Sequence, residues 1–123
     1  SVAAGLKSVA TLSIKINKKT YQETATGDGQ YDAFMNALWA IYDKLDKKYP
    51  QLIDYAVTIP PGGKTDALCN TLITWDMDGY QFKTNGLDSD QALSAIKATI
   101  KMLNIVEMNG MSEQAIGSAG FRG

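Results

Sequence analysis

The stretch Thr11–Phe34, TLSIKINKKTYQETATGDGQYDAF, holds the pattern that decides the fold. In VATLSIKI apolar and polar residues alternate, which predicts a half-buried strand that NKK turns into a second strand, TYQETAT. After GDGQ the apolar residues recur at three- and four-residue steps up to a charged run, DKLDKKYP, which indicates one face of a helix. The stretch therefore predicts a β-hairpin covered by a helix.

A similar order of elements recurs in Thr71–Leu93, TLITWDMDGYQFKTNGLDSDQAL. The two stretches align with one residue slipped in the turn. The alignment pairs Thr11 with Thr71, Leu12 with Leu72, Tyr21 with Tyr80, Gln22 with Gln81, Gly27 with Gly86 and Ala33 with Ala92. We interpret this as a duplication, because each copy runs from a hairpin through a Gly- and Asp-rich turn into a helix.

Three more strands and a second helix complete the prediction. The strands are LIDYAVTIPP, ALCNTLITW and YQFKT, and the helix starts near Asp90 with Leu93, Ile96, Ile100 and Leu103 on its apolar face. The predicted fold class is α+β, with duplicated units of antiparallel strands plus one helix in the order ββα-βββα. We expect two layers related by a pseudo-twofold axis.

Length and composition fit one domain, since 123 residues with 45% hydrophobic content form a modest single core. We predict that residues 1–107 form this domain and that residues 108–123 are a mobile tail, because EMNGMSEQAIGSAGFRG loses periodicity. The start SVAAGLKS has neither an initiator Met nor a signal-peptide core. The chain therefore looks like a piece of a longer protein.

The charged residues and the missing histidines argue against several functions. With 12 basic and 13 acidic residues, the chain lacks the electrostatic pattern for nucleic acid or an anionic membrane. It has no histidine, so the usual general base and commonest metal ligand are missing. We expect no catalysis by this chain alone and no metal site. The single cysteine, Cys69, is expected to be a small core residue in the reducing cytoplasm.

The segment IPPGGKTDAL, Ile59–Leu68, contains a Gly-Lys-Thr run typical of phosphate loops. Thr58 stands where such a loop needs its first glycine, and a strand follows where it needs a helix. We predict a turn between two strands instead. Whether Lys64, Thr65 and Asp66 only shape that turn or also touch a partner subunit stays open.

Both copies lead through glycine and acidic residues into a helix start, as TGDGQYDA and NGLDSDQA. Free backbone N–H groups there favour a carboxylate, and nearby oxygens can accept from an ammonium group, so together they suit a free amino acid. Ordinary capping is the alternative, in which Asp28 and Ser89 or Asp90 satisfy the same amides. From the pattern alone, ordinary capping is the favoured interpretation.

Three segments resemble a known family: ATGDGQYDAFMNAL, LIDYAVTIPPGGKTDAL and GLDSDQALSAIKATIKMLN. In order and spacing they are similar to the C-terminal regulatory domain of the 2-isopropylmalate synthase and citramalate synthase family, over Val9–Asn104. The resemblance implies a duplicated αβ unit that forms a homodimer and binds leucine or isoleucine between two subunits for feedback inhibition. The parent would condense acetyl-CoA with a 2-oxo acid in a metal-dependent barrel, so no cofactor is expected in this domain.

The resemblance also implies a ligand site. Tyr31 and Asp32 would hold the amino and carboxylate ends, largely through backbone. The apolar wall would be Leu52, Tyr55, Ile59 and Cys69, with Ser89 and Gln91 closing it. Plain core packing is the alternative for the wall residues. Cys69 and Ser89 stand where other members carry larger apolar residues such as Val or Pro, which leaves leucine against isoleucine open.

Two other functions are weighed beside amino-acid binding. One is a structural dimerisation domain of the same enzyme that has lost its ligand. The other is a nucleotide-binding module, which ranks last because the phosphate-loop pattern is incomplete.

Overall fold

The computed structural model describes residues 1–59 and 67–114. Its elements are β1 (Ser8–Ile16), β2 (Lys19–Gly27), α1 (Gln30–Lys44), β3 (Gln51–Thr58), β4 (Cys69–Met77), β5 (Tyr80–Asp88) and α2 (Gln91–Met108). The predicted α+β class and the order ββα-βββα are confirmed. The predicted turn that carries Lys64, Thr65 and Asp66 lies outside the described residues.

The strands form two antiparallel sheets, one from β1 and β2 and one in the order β3-β4-β5. Each helix packs on the sheet whose hairpin precedes it, α1 on β1 and β2 and α2 on β4 and β5. β3 pairs with β4 along one side and forms an edge of its sheet. It has no counterpart in the first unit.

The two hairpins have the same geometry. Each joins two nine-residue strands by a two-residue turn, and their registers superpose with an offset of 61 residues, as from Ser8 to Cys69. Positive φ angles occur at both turn positions, 51° and 70° at Asn17 and Lys18 and 52° and 91° at Asp78 and Gly79. This is the turn that matches the twist of paired strands. The duplication is therefore visible in the backbone.

The register of the sequence alignment was wrong, although its order of elements was right. The alignment, which matches identical residues, pairs Leu12 with Leu72. The superposed hairpins pair Leu12 with Ile73. Ile73 is fully buried, and Leu72 points to the opposite face with 37% exposure. A one-residue slip moves a side chain to the other face of a sheet, so chance identities misled the alignment.

The apolar face predicted for α1 is confirmed, since Phe34, Leu38 and Tyr42 are buried against the first hairpin. The face predicted for α2 was partly wrong, because Leu93 and Ile100 stay exposed. The second helix instead buries mainly small residues and two larger ones against its sheet. These residues are Ser94, Ala95, Ala98, Thr99, Met102 and Val106.

The chain continues beyond α2 as a packed turn. Met111 packs against the core of the second unit, which includes Trp75 and Met102, and Ser112 is fully buried. The backbone N–H of Lys48 donates to the Ser112 carbonyl oxygen at 2.7 Å, which ties this turn to the segment after α1. The predicted tail thus begins with residues in contact with the domain, and residues 115–123 lie outside the described part. Its mobility stays a prediction.

Candidate functional site

Among the described residues, no capping side chain accepts a hydrogen bond from the first-turn amides of α1. Gly29 is its N-cap, with extended φ and ψ of −151° and 175°. The carboxylate of Asp32 reaches backwards and accepts from the Asp28 backbone N–H at 2.9 Å. Asp28 pairs with Lys7 at 2.6 Å instead of capping the helix. The amides of this turn are thus left for another acceptor.

Gly27 lets this helix start lie directly on the end of β2. A Cβ at position 27 would stand 2.4 Å from the Ala33 backbone nitrogen and 2.7 Å from the Asp32 carboxylate. No side chain fits in that space. Gly27, the first glycine of TGDG, therefore sets the position of the first turn of α1 against the sheet.

The start of α2 is capped by its own chain. The Asp90 carboxylate accepts from the Leu93 N–H at 2.9 Å. Asp88 accepts from the Asp90 N–H and from Lys97, each at 2.9 Å, and the Lys97 hydrogen bond is the main cause that holds the Asp88 pKa below its usual range. The exposed residues Ser89 and Gln91 flank the cap. The capping alternative thus holds for α2 and does not hold for α1.

Tyr31 stands at the junction between the two units. Its ring is stacked with Phe34 at a centroid distance of 6.1 Å and tilted against Tyr55 at 5.9 Å. Its hydroxyl lies 2.6 Å from Thr99 Oγ1 on α2. Burial raises the pKa of Tyr31 to about 12, so the phenol is protonated at neutral pH. The structure therefore brings together two of the predicted site residues, Tyr31 and Tyr55.

The side chains of Leu52 and Tyr55 lie on the same face of β3. Leu52 opposes Trp75 and Tyr55 opposes Ile73, and both partners are fully buried on the helix-covered face. An odd separation would normally place two strand residues on opposite faces, but a bulge between Leu52 and Asp54 adds one residue. Because β3 is an edge, Leu52 and Tyr55 stay 38% and 36% exposed. The bulge thus places two residues of the predicted apolar wall, Leu52 and Tyr55, on one face of the strand.

The other predicted residues lie at the end of the sheet where β3 stops and β4 begins. Ile59 follows β3 and is 61% exposed. Cys69 opens β4 opposite Asp88 and is buried, as its predicted core role requires. Ser89 and Gln91 follow that same Asp88 at the start of α2.

Two clefts within the described ranges are lined by residues other than the predicted ones. One cleft of about 550 Å³ lies beside the end of α2 and the β4–β5 turn, where Met77, Tyr80 and Met111 contribute to its wall. Another of about 330 Å³ lies between the end of β1 and α2, with Ile14, Ile100 and Leu103 among its lining residues. Of the predicted wall residues, Leu52, Tyr55 and Ile59 remain partly exposed in one chain and Cys69 is buried.

Sequence reasoning missed Thr99 and Gly29. Thr99 is the hydroxyl partner of Tyr31, and its signal was a polar residue among Ala95, Ala98 and Met102 on the buried face of a helix. Gly29 occupies a position where Ser, Asp or Asn usually caps a helix. Its signal was a helix start without a capping side chain.

Two further features are absent from the part of the chain that the structure describes. No cluster of three or more Cys, Asp or Glu side chains there is arranged to hold a metal ion. Neither helix has the length and apolar character that crossing a membrane requires.

Comparison with known proteins identifies the family of this chain. The family model of the LeuA allosteric (dimerisation) domain matches residues 1–107. The 2-isopropylmalate synthase of Pectobacterium atrosepticum is 30% identical over 118 residues, which cover 94% of this chain and 21% of that protein. Those of Yersinia pestis (strain Pestoides F) and Yersinia enterocolitica are each 36% identical over 107 residues, covering 85% of this chain and 19% of theirs.

The chain spans about a fifth of the length of these relatives, as the covered shares of 21% and 19% show. The match nevertheless takes in both hairpins and all but the last residue of α2, so both the uncapped start of α1 and the apolar face of β3 lie within it. Through a match that spans most of its length, this chain belongs to the LeuA allosteric (dimerisation) domain family.

Proposed function

We propose that this domain binds a branched-chain amino acid and that binding inhibits the parent enzyme by feedback. The observation that supports it most is the uncapped start of α1 beside the contact between Tyr31 and Tyr55. A ligand carboxylate can accept from the first-turn amides, where the helix dipole favours negative charge. The Asp32 carboxylate, with one oxygen bonded to Asp28 N–H, keeps capacity to accept from the ligand ammonium.

The partly exposed Leu52 and Tyr55, on the helix-covered face at the β3 edge of the sheet, suit the aliphatic side chain of such a ligand. Leu52 and Tyr55 present an apolar surface on one face, and Ile59 follows at the strand end. A few polar groups beside an apolar wall are what a small aliphatic ligand requires. Because these three side chains stay partly exposed in one chain, we propose that a second copy covers them and that the ligand lies between two subunits of a homodimer. Cys69, Ser89 and Gln91 complete the proposed site.

The proposed parent is a 2-isopropylmalate synthase-like acyltransferase. Its catalytic domain would condense acetyl-CoA with a 2-oxo acid and would use a divalent metal, while this chain supplies regulation. The proposed effector is leucine, or isoleucine if the parent is a citramalate synthase. The cytoplasmic location expected from the sequence stays a prediction.

Calorimetry and thermal melting with leucine, isoleucine and valine test the proposal. A ligand at 100 times its Kd adds about 2.7 kcal/mol to the free energy of unfolding, which a melting curve detects readily. Tyr55→Ala should remove most of the binding. Tyr80→Ala should retain it, because Tyr80 stacks on Phe82 beside the β4–β5 turn and not at the proposed site. If none of the three amino acids binds at millimolar concentration, the proposal is wrong.

A structural dimerisation domain without a ligand is the second candidate, and the exposure of both faces of β3 favours it. Ile53 is 46% exposed in this strand, and Leu72 on the neighbouring strand is 37% exposed. Apolar surface on an edge strand suits association with a second copy. Under this candidate Tyr55→Ala and Cys69→Val change stability alone, and sedimentation shows a dimer that no amino acid affects.

A further inference from the structure

We propose that Thr99 is a positioning residue of the effector site. Thr99 fixes the phenol of Tyr31 and couples the position of that ring to α2. The inference rests on the proposed binding of an amino acid beside Tyr31. Thr99 is fully buried and lies two helical turns inside α2, so its effect on the ligand must pass through Tyr31.

The direction of the hydrogen bonds follows from the geometry. Thr99 Oγ1 lies 2.9 Å from the Ala95 carbonyl oxygen and 2.6 Å from the Tyr31 hydroxyl. A carbonyl oxygen can only accept, so Thr99 uses its single hydroxyl hydrogen on Ala95. Tyr31 must therefore donate to Thr99. The phenol of the effector site is thus linked through one hydroxyl to the backbone of α2.

The link determines where the Tyr31 ring lies. The ring packs beside Phe34 and Tyr55, and its side chain contacts the hydrophobic cores of both units. If the ring turned away, its buried hydroxyl would lose its partner, which costs more than an exposed hydrogen bond does. Thr99 therefore holds the ring in the orientation in which it contacts Tyr55.

Three backbone carbonyl groups of α2 each accept a hydrogen bond from a Ser or Thr hydroxyl, and each of these hydroxyl oxygens in turn accepts from a second side chain. The hydroxyl has only one hydrogen and gives it to the carbonyl, so the second side chain must be the donor, as Tyr31 is. The three chains run from Thr71 through Ser94 to the Gln91 oxygen, from Trp75 through Thr84 to the Ala98 oxygen, and from Tyr31 through Thr99 to the Ala95 oxygen. Of these three, the first two start on β4 within the second unit. The third starts on α1, at the proposed site.

The seating of α2 on its sheet makes this link effective. A Cβ at Gly86 would stand 2.0 Å from the Ser94 carbonyl oxygen and 2.7 Å from the Ala98 nitrogen, so helix and strand are in close backbone contact. Close-packed elements shift as units instead of deforming locally. A displacement of Tyr31 by a ligand is therefore transmitted to α2 as a whole.

The test compares Thr99→Val with Thr99→Ser in the 123-residue chain. Valine keeps the shape and removes the acceptor, while serine keeps the hydroxyl. We expect Thr99→Val to weaken leucine or isoleucine binding by about fivefold, the factor expected for one lost hydrogen bond, and Thr99→Ser to retain it. Thr11→Val is the matched control, because it removes an exposed threonine pair with Thr24 on the first hairpin.

Amide hydrogen exchange supplies a readout that general destabilisation would not give. In the unsubstituted chain, ligand should slow exchange in the middle of α2, and in Thr99→Val at saturating ligand this slowing should be lost while that of the first turn of α1 persists. If Thr99→Val does not fold, Tyr31→Phe removes the same hydrogen bond from the other side and should give the same loss.

The outcomes separate the inference from the proposed function. If the unsubstituted chain binds none of the three amino acids, both are wrong. If it binds one of them and Thr99→Val keeps full affinity and the full response of α2, the inference alone is overturned. Equal weakening by valine and serine would also overturn it, because the methyl packing and not the hydroxyl would then be responsible.

Discussion

Gly86 lies so close to Ser94 that a Cβ at position 86 would stand 2.0 Å from the Ser94 carbonyl oxygen. The obstacle is helix backbone, which cannot rotate away as a side chain can. We expect Gly86→Ala to lower the free energy of unfolding by about 3 kcal/mol, because α2 must move off its sheet. Urea unfolding measures this, with Gly5→Ala as the control since a Cβ there meets nothing within 4 Å. A loss as small as that of the control would contradict the packing described for α2.

The equivalent turn positions of the two hairpins, Lys18 and Gly79, predict opposite effects for reciprocal substitutions. Lys18 has a φ of 70° where Gly79 of the second hairpin has 91°. A lysine there is strained and a glycine is not, so Lys18→Gly should stabilise the domain by roughly 0.5 kcal/mol after the entropy of glycine is counted. Gly79→Lys should destabilise it by about 1 kcal/mol. Thermal melts of both variants check the pair, and a stabilising Gly79→Lys would show that the turns are not equivalent.

Glu107 should make stability depend on acid pH. Burial opposes its ionisation, but hydrogen bonds from Tyr42, Ser112 and Lys47 outweigh that effect and lower the Glu107 pKa below its usual 4.5. Its contribution is therefore complete above pH 4.5 and is lost as the pH falls through the lowered value of the folded state.

Urea unfolding of the unsubstituted chain and of Glu107→Gln from pH 7 to pH 3 measures this dependence. The difference in the free energy of unfolding between the two should be largest near neutrality and shrink towards acid pH. Glu113→Gln is the control, because this exposed carboxylate contacts the same Lys47 at 3.6 Å and should change the profile little. A constant difference between chain and variant would disprove the role of ionised Glu107.

The uncapped start of α1 predicts a conflict between capping and binding. Gly29 already has the extended backbone of an N-cap, so Gly29→Ser can place a hydroxyl oxygen against the first-turn amides. We expect the free protein to gain a few tenths of a kcal/mol and the affinity for the amino acid to fall, because the hydroxyl occupies the donors proposed for the ligand carboxylate.

Calorimetry of Gly29→Ser and Gly29→Ala separates this effect from a loss of backbone freedom. Alanine brings the same Cβ without an acceptor, and a Cβ at this position meets nothing within 4 Å. Affinity should therefore fall further for serine than for alanine. Unchanged affinity in Gly29→Ser would place the ligand carboxylate elsewhere.

Much of the fold could be predicted from local patterns. The alternation from Ala10 to Ile16 and the helical spacing from Tyr31 to Leu45 are properties of short segments, and both elements occur as predicted. The buried face of α2 could not be predicted so well. Apolar residues such as Leu93 and Ile100 normally mark the buried face, but here Gly86 brings strand and helix so close that small residues fill the contact.

The candidate site was less predictable than the fold. The residue pattern allowed ligand binding and favoured capping at both helix starts, and it did not distinguish one start from the other. Side-chain directions that depend on tertiary contacts did. Asp90 caps α2, while Asp28 turns to Lys7 and leaves α1 uncapped. The roles of the eight predicted site residues stay predictions, although Tyr31 and Tyr55 are in contact.

The sequence by itself determined the order of elements and the absence of the histidines that catalysis would normally use, because periodicity and composition are local or additive properties. Only the tertiary structure decided which residues meet. The bulge after Leu52 brings that side chain onto the face of Tyr55, and the phenol of Tyr31 reaches Thr99, 68 positions away. Such contacts depend on how strands register and how helices sit on their sheets, and no short segment carries that information.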